Sequence, residues 1–389
     1  MRSTTSILGG AAVALVLLLG ACTEATPVPP PSFGTAPAPT DSLDFTMRSF
    51  MNQGAVAVVA EVRWPGGMWS RAYGVRDLED MQPARADDRV SVASVTKSMT
   101  AVAVLKLVDD GLIRLDDPVN GMLDSLTTVL RPPGPITVRQ LLAHTSGMPT
   151  FQEANEKIVE DVARVFKEDM STQRGLELTA SLPWEAKDVG SFRYSDSNYL
   201  ALGQLLEKLR GKPYSQVLHD GVINRLGLAA TSIGQAVRGE PDVIHGYITL
   251  HGERLDVTQP PADLGSPAFG AISTVHDVND FFEALFRGDL VSDTSLKEMT
   301  ATGSFPYYGL GLWKWPPGCT DDFRYGGKGG FSSYRTIAIS SADGQQQASM
   351  TLVPPPIPTP LEDPESAEKL ELWDGQMASV LQETLDRLC

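Results

Sequence analysis

Cysteine is scarce: three in 389 residues. That excludes a small disulfide-dense scaffold. Histidine is nearly as rare, at five. His219, His245, His251 and His276 are scattered. None forms H-E-x-x-H or another ligand spacing, which argues against a metal site. No G-x-S-x-G occurs, so an α/β-hydrolase elbow is excluded. Basic charge is short, with 32 Lys and Arg against 48 Asp and Glu, a net charge of −16. This argues against a nucleic-acid partner, since phosphates need a basic surface. The balance leaves substrate charge open, because a site's local charge can oppose the net charge. No internal repeat stands out, no cofactor is implied, and no long apolar run follows the N-terminal region.

That N-terminal region reads as an export signal. Arg2 supplies a positive start, Ile7 to Leu19 an apolar stretch, and Leu19-Gly20-Ala21-Cys22 closes it. The apolar part is short for a membrane span, and a polar Pro-rich stretch follows. Cys22 directly after Leu-Gly-Ala resembles a bacterial lipobox, which implies a lipidated Cys22 as the new N-terminus. The alternative is an ordinary secretory signal cut after Ala21. Residues 1–21 are therefore expected to be a signal peptide, and the protein to be anchored by lipid on the extracytoplasmic side of a bacterial membrane. Residues 22–43, rich in Pro, Thr and Ala, are expected to be an extended linker. Residues 44–389 are expected to form one domain or two intimate subdomains. With Cys22 set aside, Cys319 and Cys389 remain. An even pair in an exported chain suggests a disulfide, with two free buried thiols as the alternative.

Gly54 to Trp64 has strand character, and Trp69 to Val75 fits its hairpin partner. A helix is expected from Ser94 to Leu107, stopping near Asp110-Gly111. Further helices are expected over 158–166, 199–209 and 278–286, and a last one over 365–388. Strand character returns in 308–315, 334–339 and 348–353. Strands at both ends with helices between suggest one sheet built from both termini, plus a helical insertion.

Ser94-Val95-Thr96-Lys97 is the most informative stretch. It sets a hydroxyl and an amine one helical turn apart on one face. A serine hydroxyl needs a neighbouring base to become a nucleophile. Lysine can be that base when burial or nearby positive charge lowers its pKa. Alone the motif is weak, for it recurs at Ser366-Ala367-Glu368-Lys369 in an acidic segment. Two other segments change its meaning. Tyr194-Ser195-Asp196 stands just before a helix, where the tyrosine can exchange protons if adjacent cations lower its pKa. Tyr325-Gly326-Gly327-Lys328-Gly329-Gly330 lets a backbone approach a ligand closely and offers an amine to a substrate carboxylate.

Taken together and in this order, the three segments resemble the penicillin-recognising serine hydrolases. This is the family of class C β-lactamases, D-alanyl-D-alanine carboxypeptidases and related esterases. Arg71 to Leu78, Gln140-Leu141-Leu142-Ala143-His144-Thr145-Ser146-Gly147, Gly270 to Thr274 with Asp277, and Tyr308 to Leu312 resemble further landmarks of the family. The resemblance covers roughly residues 44 to 385. It implies a mixed α/β fold, an antiparallel sheet flanked by helices beside a mostly helical subdomain. It implies Ser94 as the acylated nucleophile, Lys97 as its activator and Tyr194 as the proton relay to the leaving group. An oxyanion hole is implied between the Ser94 N–H and the Lys328 strand. Asp196, Lys328, Gly329 and Gly330 are the implied substrate-binding set, with His144 structural. Asp196 replaces the usual asparagine, and a carboxylate there can keep Lys97 charged. The third motif has two registers. Lys328-Gly329-Gly330 fits basic-x-Gly, whereas aligning Tyr325-Gly326 puts Gly327 at the basic position. The implied substrate is a cell-wall peptide ending in D-Ala-D-Ala, or a small ester or β-lactam. A non-catalytic peptidoglycan-binding lipoprotein is the alternative from another class.

Overall fold

A computed structural model describes residues 39–155, 161, 164, 171–261, 264–331 and 333–389. Cys22, the signal and most of the expected linker lie outside the described residues, as does nearly all of the helix expected over 158–166.

The folded part begins earlier than 44. Helix α1 spans Asp41–Asn52 and buries Leu43, Met47 and Phe50. This i, i+4, i+7 spacing is one helical face, so residues 41–43 belong to the domain and not to the linker.

Strands β1 (Ala57–Trp64) and β2 (Gly67–Gly74) form the expected hairpin. Three short strands follow: β3 (Val90–Ser91), β4 (Ser232–Ile233) and β7 (Ala271–Ser273), paired in the order β3-β7-β4. A separate hairpin joins β5 (Tyr247–Leu250) to β6 (Glu253–Asp256). The main sheet is completed by β8 (Trp313–Trp315), β9 (Arg324–Gly330), β10 (Arg335–Ser340) and β11 (Gln347–Val353). Its order is β2-β1-β11-β10-β9-β8, and every pairing is antiparallel. Both ends of the chain therefore build one sheet, as expected.

Strand alternation sorts its two faces. Val58, Ala60, Val62, Ile337, Ile339, Met350 and Leu352 pack with α1 and with the C-terminal helix Glu365–Asp386. Ala57, Val59, Ala338 and Val353 join the other core, which includes Phe281 and Phe282 of the helix Val275–Phe286 and Val95 beside the Ser-x-x-Lys segment. Helices on both faces, beside a mostly helical region, give the mixed α/β architecture expected from the sequence.

The segment Tyr308 to Leu312 is not strand; only Trp313–Trp315 is. Gly311 takes φ +79°, and a Cβ there would stand 2.4 Å from Ala101 Cβ and 3.2 Å from Lys97 O. The glycine lets this loop lie on α2 (Thr96–Asp109), where Ser98 Oγ donates to Gly311 O at 2.7 Å. Cys319 and Cys389 are joined as a disulfide, with Cα atoms 6.2 Å apart. The bond ties the C-terminal helix to the loop entering β9. Arg324 reinforces it with a 2.6 Å ion pair to Asp386.

Candidate active site

Ser94 sits in a short 3-10 turn, Ala93–Val95, that leads into α2. Ala93 is held at φ 47°, uncommon for a residue with a side chain. Neighbouring bonds fix that turn. Val92 N donates to Ala271 O at 3.1 Å. Thr96 Oγ1 donates to Ala93 O at 2.7 Å and accepts from Ala271 N at 3.0 Å. The small sheet thus clamps the nucleophile segment from one side.

Lys97 is not a solvated lysine: it is 1 % exposed. Its Nζ donates to Ser94 Oγ at 2.9 Å and to Ala268 O at 2.9 Å, and lies 2.5 Å from Asp196 Oδ1. Ser94 Oγ and Ala268 O take two of the three donors an ammonium offers, and the Asp196 carboxylate is its ion-pair partner. The aromatic rings of Tyr194 and Tyr199 lie 4.9 Å and 5.6 Å from the same nitrogen, a cation–π setting. The second Ser-x-x-Lys of the chain differs in each respect. Lys369 is half exposed and pairs only loosely, at 4.0 Å, with Glu365.

Tyr194 comes from the loop before helix α3 (Asp196–Arg210). Its side chain is partly exposed as a whole, but its hydroxyl end is enclosed. Burial, and then the charge of Asp196, push this phenol well above its usual pKa, against a hydrogen bond with Ser94. The condition read from the sequence, a phenol lowered by adjacent cations, is not met. The charge that shifts the phenol is a carboxylate, not a cation. A phenol held protonated at neutral pH is fit to donate a proton and unfit to be a resting base.

Asp196 opens α3. Besides its contact with Lys97, its Oδ2 accepts from Gln152 Nε2, and its backbone N donates to Thr150 Oγ1 at 3.3 Å. Sequence reasoning missed Gln152, Thr150 and the Ala268 carbonyl. The last has no sequence signal at all, because any residue supplies a carbonyl.

His144 supports the site from behind. It is fully buried, and its ring lies 4.2 Å from that of Tyr194. Nδ1 accepts from Ser195 N and faces Asn198 Nδ2, both at 3.2 Å, and Ser146 Oγ donates to Asn198 Oδ1 at 2.6 Å. The His-Thr-Ser-Gly segment thus aligns the start of α3. Burial, then the charge of Lys97, hold His144 well below its ordinary 6.5, with the Ser195 bond acting the other way. A histidine neutral when folded takes up a proton only on unfolding, so stability must fall as pH drops below about 6.5. We expect a loss of up to about 1.4 kcal/mol per pH unit from this group. His144→Asn, which tolerates the left-handed backbone here, should flatten that dependence. Urea unfolding of both proteins at several pH values between 5 and 8 checks this.

Strand β9 decides the register of the third motif. A Cβ at Gly329 would stand 2.2 Å from Val92 O and 2.9 Å from Ser94 N. One at Gly327 would meet Val95 at 3.1 Å. These two glycines face the nucleophile. Lys328 and Gly330 face the other side of the sheet, as strand alternation requires. Lys328 pairs across the sheet with Ile337, which packs against the C-terminal helix. Its Nζ lies 3.0 Å from Asp374, a buried carboxylate that also binds Arg335. A Cβ at Gly330 would meet the Arg335 guanidinium at 2.4 Å. Lys328 and Gly330, expected to bind substrate, thus lie on the face of the sheet away from Ser94. Gly327 holds the basic position, without a side chain, and Gly329 takes the place of the motif's glycine. Lys328→Ala should change kcat/KM by no more than about twofold. It should cost about 1 kcal/mol of stability, since Arg335 still pairs with Asp374. A carboxylate-binding lysine would instead raise KM steeply on removal, so a Michaelis analysis separates the two roles.

Among the described residues no cluster of His, Cys, Asp or Glu could hold a metal ion.

The model of the beta-lactamase family matches residues 43–341. A putative penicillin-binding protein of Bacillus subtilis (strain 168) is 30% identical over 229 residues, covering 58% of this chain and 53% of that protein. Esterase EstB of Burkholderia gladioli is 31% identical over 191 residues, covering 48% of each. The chain thus spans about half the length of the curated relatives it matches. A D-stereospecific amidohydrolase from Streptomyces sp. superposes with a TM-score of 0.71 at 27% identity, covering 82% of this chain and 95% of that one. The D-amino acid amidase of Ochrobactrum anthropi SV3 shares the fold with a TM-score of 0.73 at 19% identity, covering 90% and 99%.

Fold, site and family model define a serine hydrolase architecture of the β-lactamase type. The chain belongs to the beta-lactamase family.

Proposed function

We propose that this protein is a serine hydrolase that forms an acyl-enzyme at Ser94 and releases it with water. The observation that carries the reading is the buried Lys97 bonded to Ser94 Oγ. Loss of one proton from that ammonium would make Lys97 the base for Ser94. The enclosed phenol of Tyr194 would then protonate the leaving group. The N–H of Ser94, against which β9 packs through Gly329, would hold the developing oxyanion.

We propose esters and amides without a required carboxylate as the substrates. β-Lactams and D-Ala-D-Ala peptides both present a carboxylate, and the lysine that could meet it is turned toward Asp374. Similarity to an esterase and to an amidohydrolase supports this choice. A second reading, a D-alanyl-D-alanine carboxypeptidase, is favoured by the penicillin-binding relative. The full chain should hydrolyse short-chain p-nitrophenyl esters through a fluorophosphonate-sensitive Ser94. D-Ala released from a D-Ala-D-Ala peptide with the higher kcat/KM would decide for the second reading.

We also propose attachment to the membrane surface through a lipid on Cys22, on the sequence alone. Palmitate incorporation that survives Cys22→Ala would refute it.

A further inference from the structure

Asp196 contributes a charge that the reaction above does not use. Among the described residues its Oδ1 faces Lys97 at 2.5 Å and accepts no hydrogen bond. Its Oδ2 accepts from a neutral amide, that of Gln152. The side chain as a whole is 15 % exposed, although Oδ1 itself is buried against Lys97. The lysine it holds is itself bonded to the nucleophile. As long as Asp196 keeps Lys97 an ammonium, Lys97 donates to Ser94 and cannot take its proton. A carboxylate here therefore restrains the resting enzyme, unless something else neutralises it.

We propose that the missing partner is the substrate's own ammonium group, and that the site selects α-aminoacyl esters and amides. This rests on the serine hydrolase reading above and narrows its substrate class. Reach supports the α position. A carbonyl carbon poised for attack stands about 3–3.5 Å from the nucleophile, and an α-nitrogen lies two bonds beyond it. Asp196 is separated from Ser94 Oγ by a single atom, Lys97 Nζ, with contacts of 2.5 Å and 2.9 Å. An ammonium far out on a side chain would overshoot the carboxylate.

The charges then rearrange in a balanced way. The incoming ammonium takes the place of the Gln152 amide at Asp196 Oδ2, while Lys97 stays on Oδ1. Two cations beside one carboxylate repel each other, and Lys97 gives one proton to solvent. Neutral Lys97 accepts the proton of Ser94 as the Oγ–C bond forms. Tyr194 passes its phenolic proton to the leaving nitrogen or oxygen as the C–N or C–O bond breaks. The proton on Lys97 then restores Tyr194. The substrate keeps its own ammonium throughout.

The test compares phenylalanine p-nitroanilide, in both enantiomers, with 3-phenylpropanoyl p-nitroanilide, which lacks the amine and adds no bulk. The full chain should favour one aminoacyl enantiomer by about tenfold or more in kcat/KM, the size expected of one charge-assisted hydrogen bond. Asp196→Asn should bring that ratio toward one, whatever its absolute rate. A wild-type ratio of one or less overturns the proposal, and so does a ratio that Asp196→Asn leaves unchanged. Ser94→Ala gives a second reading without turnover. Phenylalanine amide should raise its melting temperature more than 3-phenylpropanamide does, and equal shifts count against the proposal. A neutral p-nitrophenyl ester and fluorophosphonate labelling of Ser94 run beside these. If both are absent, the serine hydrolase reading fails and this inference falls with it. If both are present with a flat ratio, only the aminoacyl preference fails.

Discussion

Ser94→Ala should abolish acyl transfer while leaving the fold intact. Removing a serine nucleophile from a preorganised site costs about 10⁴- to 10⁶-fold in kcat. The residue that remains still offers oxyanion donors but no atom to acylate. Little structural cost is expected. The hydroxyl is bonded to Lys97 and Tyr194, and Lys97 keeps Ala268 O and Asp196 as acceptors. Intact mass after fluorophosphonate treatment should show one adduct on the wild type and none on the variant, with melting temperatures close together. An adduct that persists in Ser94→Ala would place the nucleophile elsewhere. Peptidoglycan binding that survives in the variant, with no adduct on the wild type, would return the chain to the binding-protein class, whose ligand need not be acylated.

Much of the architecture is legible in the sequence, because burial has a period. Val58, Ala60 and Val62 alternate with Ala57 and Val59, and each set meets a different helical layer. The end of the linker was legible too. Leu43, Met47 and Phe50 have helical spacing, although the Pro- and Thr-rich composition before them draws attention away. Tyr308 to Leu312 was not, since an apolar run does not distinguish strand from a buried loop. What settles it is the contact of Gly311 with α2. Likewise the role of Asp196 depends on which atoms lie near Lys97. Whether cations or a carboxylate shift Tyr194 was hidden on the same ground. Sequence puts Tyr194 two residues from a carboxylate, but only the fold shows that burial and this carboxylate act on the phenol together.

The hardest feature to read was the face of β9, and its test has the second large effect. The run Gly326-Gly327-Lys328-Gly329-Gly330 carries no apolar alternation, so nothing local fixes which side meets the core. Substituting the two last glycines separates the registers. Gly329→Ala would drive a methyl group to 2.2 Å from Val92 O and 2.9 Å from Ser94 N, both backbone atoms of the nucleophile segment. Neither can swing aside, so strand and turn must part by a fraction of an ångström to an ångström. A displacement of that size beside reacting groups costs about 100-fold in rate, and the lost packing adds about 1–3 kcal/mol of destabilisation. Gly330→Ala meets only the end of the Arg335 side chain on the opposite face. That guanidinium is held by Asp374, so the variant should lose some stability, but on the face away from Ser94 it should keep kcat/KM within a few-fold of wild type. Steady-state kinetics with a short-chain ester, paired with thermal melts, would show the asymmetry. Were Gly330→Ala the damaging change and Gly329→Ala the mild one, the register would be Lys328-Gly329-Gly330. Lys328 would then face the substrate, and the carboxypeptidase reading would gain the cation it lacks.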